Sequence, residues 1–442
     1  MEEIAIHNNR LIEVIKPDYS ADDIRRLRAV LEEQHTFLFP TLNNGLFPAG
    51  AFVSGAAAVS GYHHVWVRDN IFVAYAHYLN GKSSSAVRNV QSLAAYFVKY
   101  HSRFKDIASG KLDSNEPMNR PHVRFDGDKL EEVGQKWAHA QNDALGYFLW
   151  FFCKLASDGL LTIAPCHMEL IESFVGYFQA IRFWEDEDSG HWEERRKIGA
   201  SSIGVVVGAL QQLKAMLSSN NARYELSGSK GLRLDTDTID NLVEHGNRAL
   251  REILPAECIQ PEEQKRRPYD AALLFLVYPI AVVQRGMADK IIRNVVLHLK
   301  GEYGIRRYLG DSYWCADYKE LLNAEERTKD FSDEIAQRDV MLKKGEEAQW
   351  CIFDPMLSAI YGERYRQSRD SGDLERQVFY FNRSIGQITP DFECPEAYYL
   401  DHGEYVPNDH SPLVWTQANL WLALRLIEQS LESHDKSHGN LI

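Results

Sequence analysis

The chain has 442 residues, 45% of them apolar and 25% charged, with 49 basic against 63 acidic side chains and a formal charge of -14. Its length and apolar content support a sizeable core, and the acidic balance without a basic stripe excludes nucleic acid and anionic lipid as expected partners. No run of about 18 apolar residues predicts a membrane span, the acidic start MEEIAIHNNR is unlike a signal peptide, and six scattered cysteines without a Cys-x-x-Cys pair fit buried reduced thiols in a cytoplasmic protein.

The predicted elements are nearly all helical. The stretch 22–34 puts Ile24, Leu27, Val30 and Leu31 on one stripe, with Asp22 near the start to favour the helix dipole. Residues 83–100 open on serines that can cap a helix and then place apolar residues three and four apart. Further helices are expected over 140–155, 165–184, 200–217, 236–253, 268–285, 286–300, 346–361 and 411–432. Strict period-two runs are few, so the expectation is all-α. No Gly/Ser or Pro-rich linker divides the chain, so a single domain is expected, with its loops on one face. Lys265, Arg266 and Arg267 read as a solvated loop.

Those loops carry aromatics, arginines and carboxylates. They include VWVRDN (65–70), QKWAHAQND (135–143), DSGHWEE (188–194), RRYLGDSYW (306–314) and CPEAYYLDHGEY (394–405). Arg68 with Asp69 offers a fork of donors beside an acceptor, which suits either a sugar clamp or a buried ion pair at a helix start. Arg307 with Asp311 carries the same two readings, and Tyr308 and Tyr313 serve as core or as cavity wall. Glu193 and Glu194 point in different directions in any regular backbone. They are either a working acid with a second contact or surface charges paired with Arg195, Arg196 and Lys197. Trp66, Trp137, Trp192 and Trp415 present flat faces on which sugar rings stack. Gln141 and Asp143 share the loop-to-helix segment after Trp137. His63, His64 and His139 lack metal-ligand spacing, and no phosphate loop, GxGxxG or Gly-x-Ser-x-Gly elbow occurs, so neither a metal nor another cofactor is expected.

Taken together, GYHHVWVRDN, GIRRYLGDSYW and CPEAYY resemble glycoside hydrolase family 15, which contains the glucoamylases. PHVRFDGDKLEEVGQKWAHAQNDALGYFLW at 121–150 is closer to the variant in phosphorylase kinase α and β subunits. The resemblance runs from about residue 45 to 430 and implies a closed (α/α)6 barrel with its site at one mouth. On that basis residues 1–44 form an N-terminal helical extension packing on the barrel, 45–432 the catalytic domain and 433–442 a polar tail. The resemblance makes Glu193 the general acid and Glu396 the general base of an inverting hydrolysis. It assigns substrate contacts to Arg68, Asp69, Trp137, Gln141, Asp143, Trp192, Glu194, Arg307, Tyr308 and Asp311. It implies a short α-glucan or maltooligosaccharide as the molecule bound. Ala397 follows Glu396 where glucoamylases usually have glutamine, and alanine donates no hydrogen bond to the base or its water. With the kinase-like 121–150 segment, it leaves open a catalytically silent glucan-binding or regulatory module.

Overall fold

Two kinds of helix build the chain, and their burial separates them. A computed structural model describes residues 4–50, 61–225, 235–343 and 345–439. The main helices are α1 (Ala21–Glu33), α2 (Val67–Leu79), α3 (Ser83–Lys99), α4 (Ser102–Ala108), α5 (Asn142–Ser157), α6 (Pro165–Ala180), α7 (Ala200–Leu217), α8 (Thr236–Ile253), α9 (Arg285–His298), α10 (Phe353–Ser368), α11 (Ser371–Gly386) and α12 (Val414–Gly439). Helices α2, α5 and α7 are apolar on nearly every side and bury almost every residue, the signature of a helix surrounded by others. Helix α8 instead buries one stripe, Ile239, Leu242, Gly246, Leu250 and Ile253, and leaves its charged side to solvent.

The buried helices close a ring. Helix α2 packs on α5, α5 on α7, α7 on the short turn Leu274–Val277, that turn on α10, α10 on α12, and α12 back on α2. An outer layer follows the same order: α3 lies on α2, α4 and α6 pack together with α6 on α3, α8 lies on α7, α9 on the 274–277 turn, α11 on α10 and α1 on α12. This is the (α/α)6 barrel. Glycine permits close approaches within it, since a Cβ on Gly204 would stand 2.4 Å from Leu276 and one on Gly208 2.3 Å from Ile280. Helix α7 is long and apolar enough to cross a membrane by length and composition, but its apolar residues lie in the barrel core.

Two of the three short sheets stitch the loops around one mouth. Strands β1 (Val65–Trp66), β2 (Arg124–Asp126) and β3 (Glu131–Glu132) form one antiparallel sheet, with Trp66 opposite Arg124. Strands β4 (Thr162–Ile163) and β5 (Arg223–Tyr224) pair in parallel on their own. Strands β6 (Gln349–Trp350), β7 (Ala397–Asp401) and β8 (Glu404–Pro407) form a second antiparallel sheet, with Trp350 opposite Ala397.

Several expectations change. The helix expected over 268–285 shrinks to the 274–277 turn, because Pro279 cannot continue a helix and Ala281 turns left-handed at φ 57°. The helix expected from 346 begins at Phe353, since Gln349 and Trp350 are held in a strand. The last helix runs past 432 to Gly439, so part of the expected polar tail is helical. Ser20 caps α1 in a reciprocal box with Asp23, whereas no serine caps α3, which starts from Lys82. Cys166 is exposed while the other five thiols are buried.

Candidate active site

Inner helices α2, α5, α7, α10 and α12 begin at the same mouth, so their first turns and the loops before them supply the site. Arg68 and Asp69, expected in a loop, occupy the first turn of α2, while Asp143 sits in the first turn of α5 and Trp415 in that of α12. The positive ends of these helices favour carboxylates there. A cavity of about 110 Å³ opens at this mouth, lined by Trp66, Arg68, Asp69, Trp137, Trp192, Glu193, Glu194, Arg307, Glu396 and Trp415 among others. Gln141, Asp143, Tyr308 and Asp311 do not line it; they stand behind the residues that do.

The acidic doublet is split by the backbone. Glu193 closes the turn Gly190–Trp192 in the left-handed region, at φ 58° and ψ 36°, a conformation rarely adopted by non-glycine residues. The two neighbouring carboxylates consequently serve different networks. Glu193 Oε1 accepts from Arg68 Nη2 at 3.0 Å, and its Oε2 accepts from the indole N–H of Trp137 at 2.9 Å. Arg68 is shared, since its Nη1 also donates to Asp143 at 2.6 Å and to Gln141 at 3.3 Å. Burial raises the Glu193 carboxyl above its ordinary range and outweighs the pull of Arg68. The nearby negative charge that assists is Asp143. Asp69 is pushed up to about 7 by burial, with Arg68 opposing and Glu193 assisting.

Glu194 faces a cluster of cations. Its Oε1 accepts from Arg307 at 2.8 Å and from Arg338 at 2.5 Å, and its Oε2 accepts from the Tyr308 hydroxyl. Arg307 in turn donates to both oxygens of Asp311, each at 2.6 Å. Burial alone would raise the Glu194 carboxyl, but Arg307, Arg338 and Arg267 hold it well below the usual range. Trp192 donates its indole N–H to Asp270 at 3.0 Å, and the Arg307 guanidinium lies 5.2 Å from the Trp192 ring. Neither glutamate pairs with Arg195, Arg196 or Lys197. Arg195 donates to Gln264, Arg196 donates to the carbonyls of Glu187 and Asn115, and Lys197 is buried. The surface-charge reading of this stretch is therefore set aside.

Glu396 lines the same cavity. Its Oε1 accepts from the Tyr62 hydroxyl at 2.8 Å and its Oε2 from the Asn408 amide at 2.6 Å. Burial pushes its carboxyl up to about 7 despite both bonds. Ala397 is fully buried in β7, so Tyr62 and Asn408 supply the donors that alanine cannot.

Sequence reasoning did not single out Tyr62, Arg338, Trp350, Asn408 or the stretch Thr328–Phe331, although all except Asn408 line the cavity. It also took Arg267 for a solvated loop, whereas its guanidinium is half-buried and lies 3.3 Å from the Tyr308 ring centroid. Tyr62 stands within the quoted GYHHVWVRDN motif, which was the one available signal. Arg338 and Asn408 belong to no recognisable pattern. Among the described residues, the one group with metal-ligand spacing is Asp317, Glu320 and His402, which is largely exposed and does not line the cavity.

Comparisons with known proteins agree with this architecture. The family model for glycosyl hydrolases family 15 matches residues 26–324. A probable phosphorylase b kinase regulatory subunit alpha of Caenorhabditis elegans is 24% identical over 390 residues, covering 80% of this chain and 30% of the relative. The chain thus spans less than a third of that relative's length. Among solved structures, a glycosidase matches with a TM-score of 0.64 at 17% identity, covering 93% of this chain and 99% of the other. A bacterial glucoamylase complexed with acarbose matches with a TM-score of 0.55 at 14% identity, covering 88% of this chain and 53% of the other.

Proposed function

Since the chain belongs to glycosyl hydrolases family 15, we propose that it is an inverting, exo-acting α-glucoside hydrolase releasing glucose from the non-reducing ends of short α-glucans. The observation that carries this reading is the pair Glu193 and Glu396. A half-buried carboxyl and a buried one, both with raised proton affinity, line one cavity, each held by its own set of donors. Glu193 gives its proton to the glycosidic oxygen as the bond to the anomeric carbon breaks. Glu396 takes a proton from the water that attacks that carbon from the opposite face. Arg68, Asp69, Glu194 and Arg307 grip the terminal sugar, with Trp66, Trp137, Trp192 and Trp415 as apolar walls. Gln141 and Asp143 fix Arg68, while Tyr308 and Asp311 fix Glu194 and Arg307.

Inversion is tested by following the first product anomer by NMR during hydrolysis of maltooligosaccharides. β-Glucose is expected, and α-glucose would contradict Glu396 as base. The pH profile gives a second test. Glu396 acts ionised, so kcat/KM should rise with pH through about 7. Glu193 acts protonated, so the rate should fall once pH exceeds its own raised value. The Tyr62 hydrogen bond favours the ionised form of Glu396. Tyr62→Phe should therefore move the acid limb upward by about one pH unit.

A second reading, a silent glucan-binding or regulatory module, is favoured by the kinase regulatory subunit relative. It predicts calorimetric binding of maltooligosaccharides with no glucose released on long incubation.

A further inference from the structure

Asn408 and Tyr62 hold the Glu396 carboxylate from two sides, and His410 backs Tyr62. The Asn408 amide nitrogen donates to Glu396 Oε2 at 2.6 Å, and its oxygen accepts from the His410 backbone N–H at 3.3 Å, which fixes which end of the amide faces the carboxylate. The His410 ring stacks on Tyr62 at 3.9 Å between centroids, and Tyr62 donates to Glu396 Oε1 at 2.8 Å. The Glu396 backbone N–H donates to the His410 carbonyl at 3.1 Å. Burial pushes the His410 imidazole down to about 3, so the ring is neutral and acts by stacking.

Between these two residues, Asp409 turns outward and is gripped by another part of the chain. Lys319 Nζ lies 2.7 Å from its Oδ1, and Arg327 Nη1 donates to its Oδ2 at 2.8 Å. Arg327 also donates to the carbonyls of Leu322 and Lys319, so the cations belong to one folded unit. The same stretch continues along the cavity through Thr328–Phe331, and its Arg338 reaches Glu194 at 2.5 Å. One strap thus spans the mouth, joined at one end to Glu194 and at the other to the residue between the two supports of Glu396.

We propose that Asp409 is a positioning residue for Glu396, with Lys319 and Arg327 holding the Asn408–His410 stretch in the register that aims the base. The inference rests on the reading of Glu396 as base. The Asp409 side chain is 37% exposed, so its ion pairs add little to stability. Their effect falls on geometry, where a displacement of about 1 Å costs on the order of 10²-fold in rate. Besides Asn408 and Tyr62, the titratable and charged groups facing Glu396 include Arg307, Asp69, Tyr313 and Cys351, and none of them changes in the variants below.

The test compares Asp409→Asn, Asp409→Glu, the pair Lys319→Met with Arg327→Met, and all three sites combined as Asp409→Asn, Lys319→Met and Arg327→Met, in the full chain on maltotriose. Asp409→Asn is expected to lower kcat about tenfold with KM within about twofold, and to raise the acid limb of kcat/KM. Asp409→Glu should recover part of the loss. The lysine–arginine pair should reproduce it, and the combined variant should add nothing further. The pair carries the test alone if Asp409→Asn does not fold. Wild-type kcat and acid limb in both Asp409→Asn and the pair would overturn the inference. A lowered melting temperature without change in kcat or acid limb would do the same. Wild-type turnover by Glu396→Gln would instead remove the base reading, whatever the Asp409 variants do.

Discussion

Glu193→Gln is expected to lower kcat on maltooligosaccharides by about 10²–10⁴-fold while leaving their binding measurable by calorimetry. Glutamine keeps the shape of the side chain but has a single acceptor oxygen, enough for Arg68 or Trp137 and not both, and it has no acidic proton to give the leaving oxygen. Glu396→Gln should cause a comparable loss, because a neutral amide cannot take a proton from water. The two variants part on a substrate whose leaving group needs no proton. With α-glucosyl fluoride, Glu193→Gln should recover much of its rate, and Glu396→Gln should not. Full activity of either variant on maltotriose would sink its assignment, and equal behaviour on the fluoride would undo the division of roles. Binding without turnover in the wild-type protein would favour the silent module.

Glu194→Ala is expected to destabilise the chain by about 3–5 kcal/mol, measured by denaturant unfolding. The reason lies in the count of charges around it. Arg307 and Arg338 both end on Glu194 Oε1, and Asp311 is the other carboxylate that Arg307 engages. Removing Glu194 takes the ion-pair partner from the buried Arg338 guanidinium and leaves Arg307 with Asp311 alone, which costs more than the ion pairs contribute to folding. The acid side gives the sign. The Glu194 carboxyl is held below its ordinary value in the folded chain, so its contribution is complete above the unfolded value near 4.5. That contribution is lost as pH falls toward about 2, and the alanine variant should lack this component of acid unfolding. A variant as stable as wild type would show that Arg307 and Arg338 find other partners.

Much of the scaffold was readable before any coordinates. Helices α7 and α8 fall at the residues their apolar pattern indicates, 200–217 and 236–253, because a run of buried residues at helical spacing has few alternatives. The 268–285 stretch has the same composition but breaks at Pro279, where a local constraint overrides the pattern. Helix α2 went unrecognised because VWVRDN reads as a polar loop. Its polar groups are satisfied by partners distant in sequence, as Arg68 is by Asp143 and Glu193.

The sequence by itself determined the helical class, the place of most of the helices and the identity of most charged groups at the mouth, because these follow from local patterning and from motifs of a few residues. Only the tertiary structure decided what each charge does. Glu193 and Glu194 are adjacent and chemically identical, yet a left-handed backbone step sends one to Arg68 and Trp137 and the other to Arg307, Arg338 and Tyr308. The supports of Glu396 likewise come from Tyr62 and Asn408, 334 and 12 residues away, so nothing beside the glutamate announces them. Proton affinity depends on burial and on neighbours within a few ångströms, and for these groups the closed ring of helices supplies both.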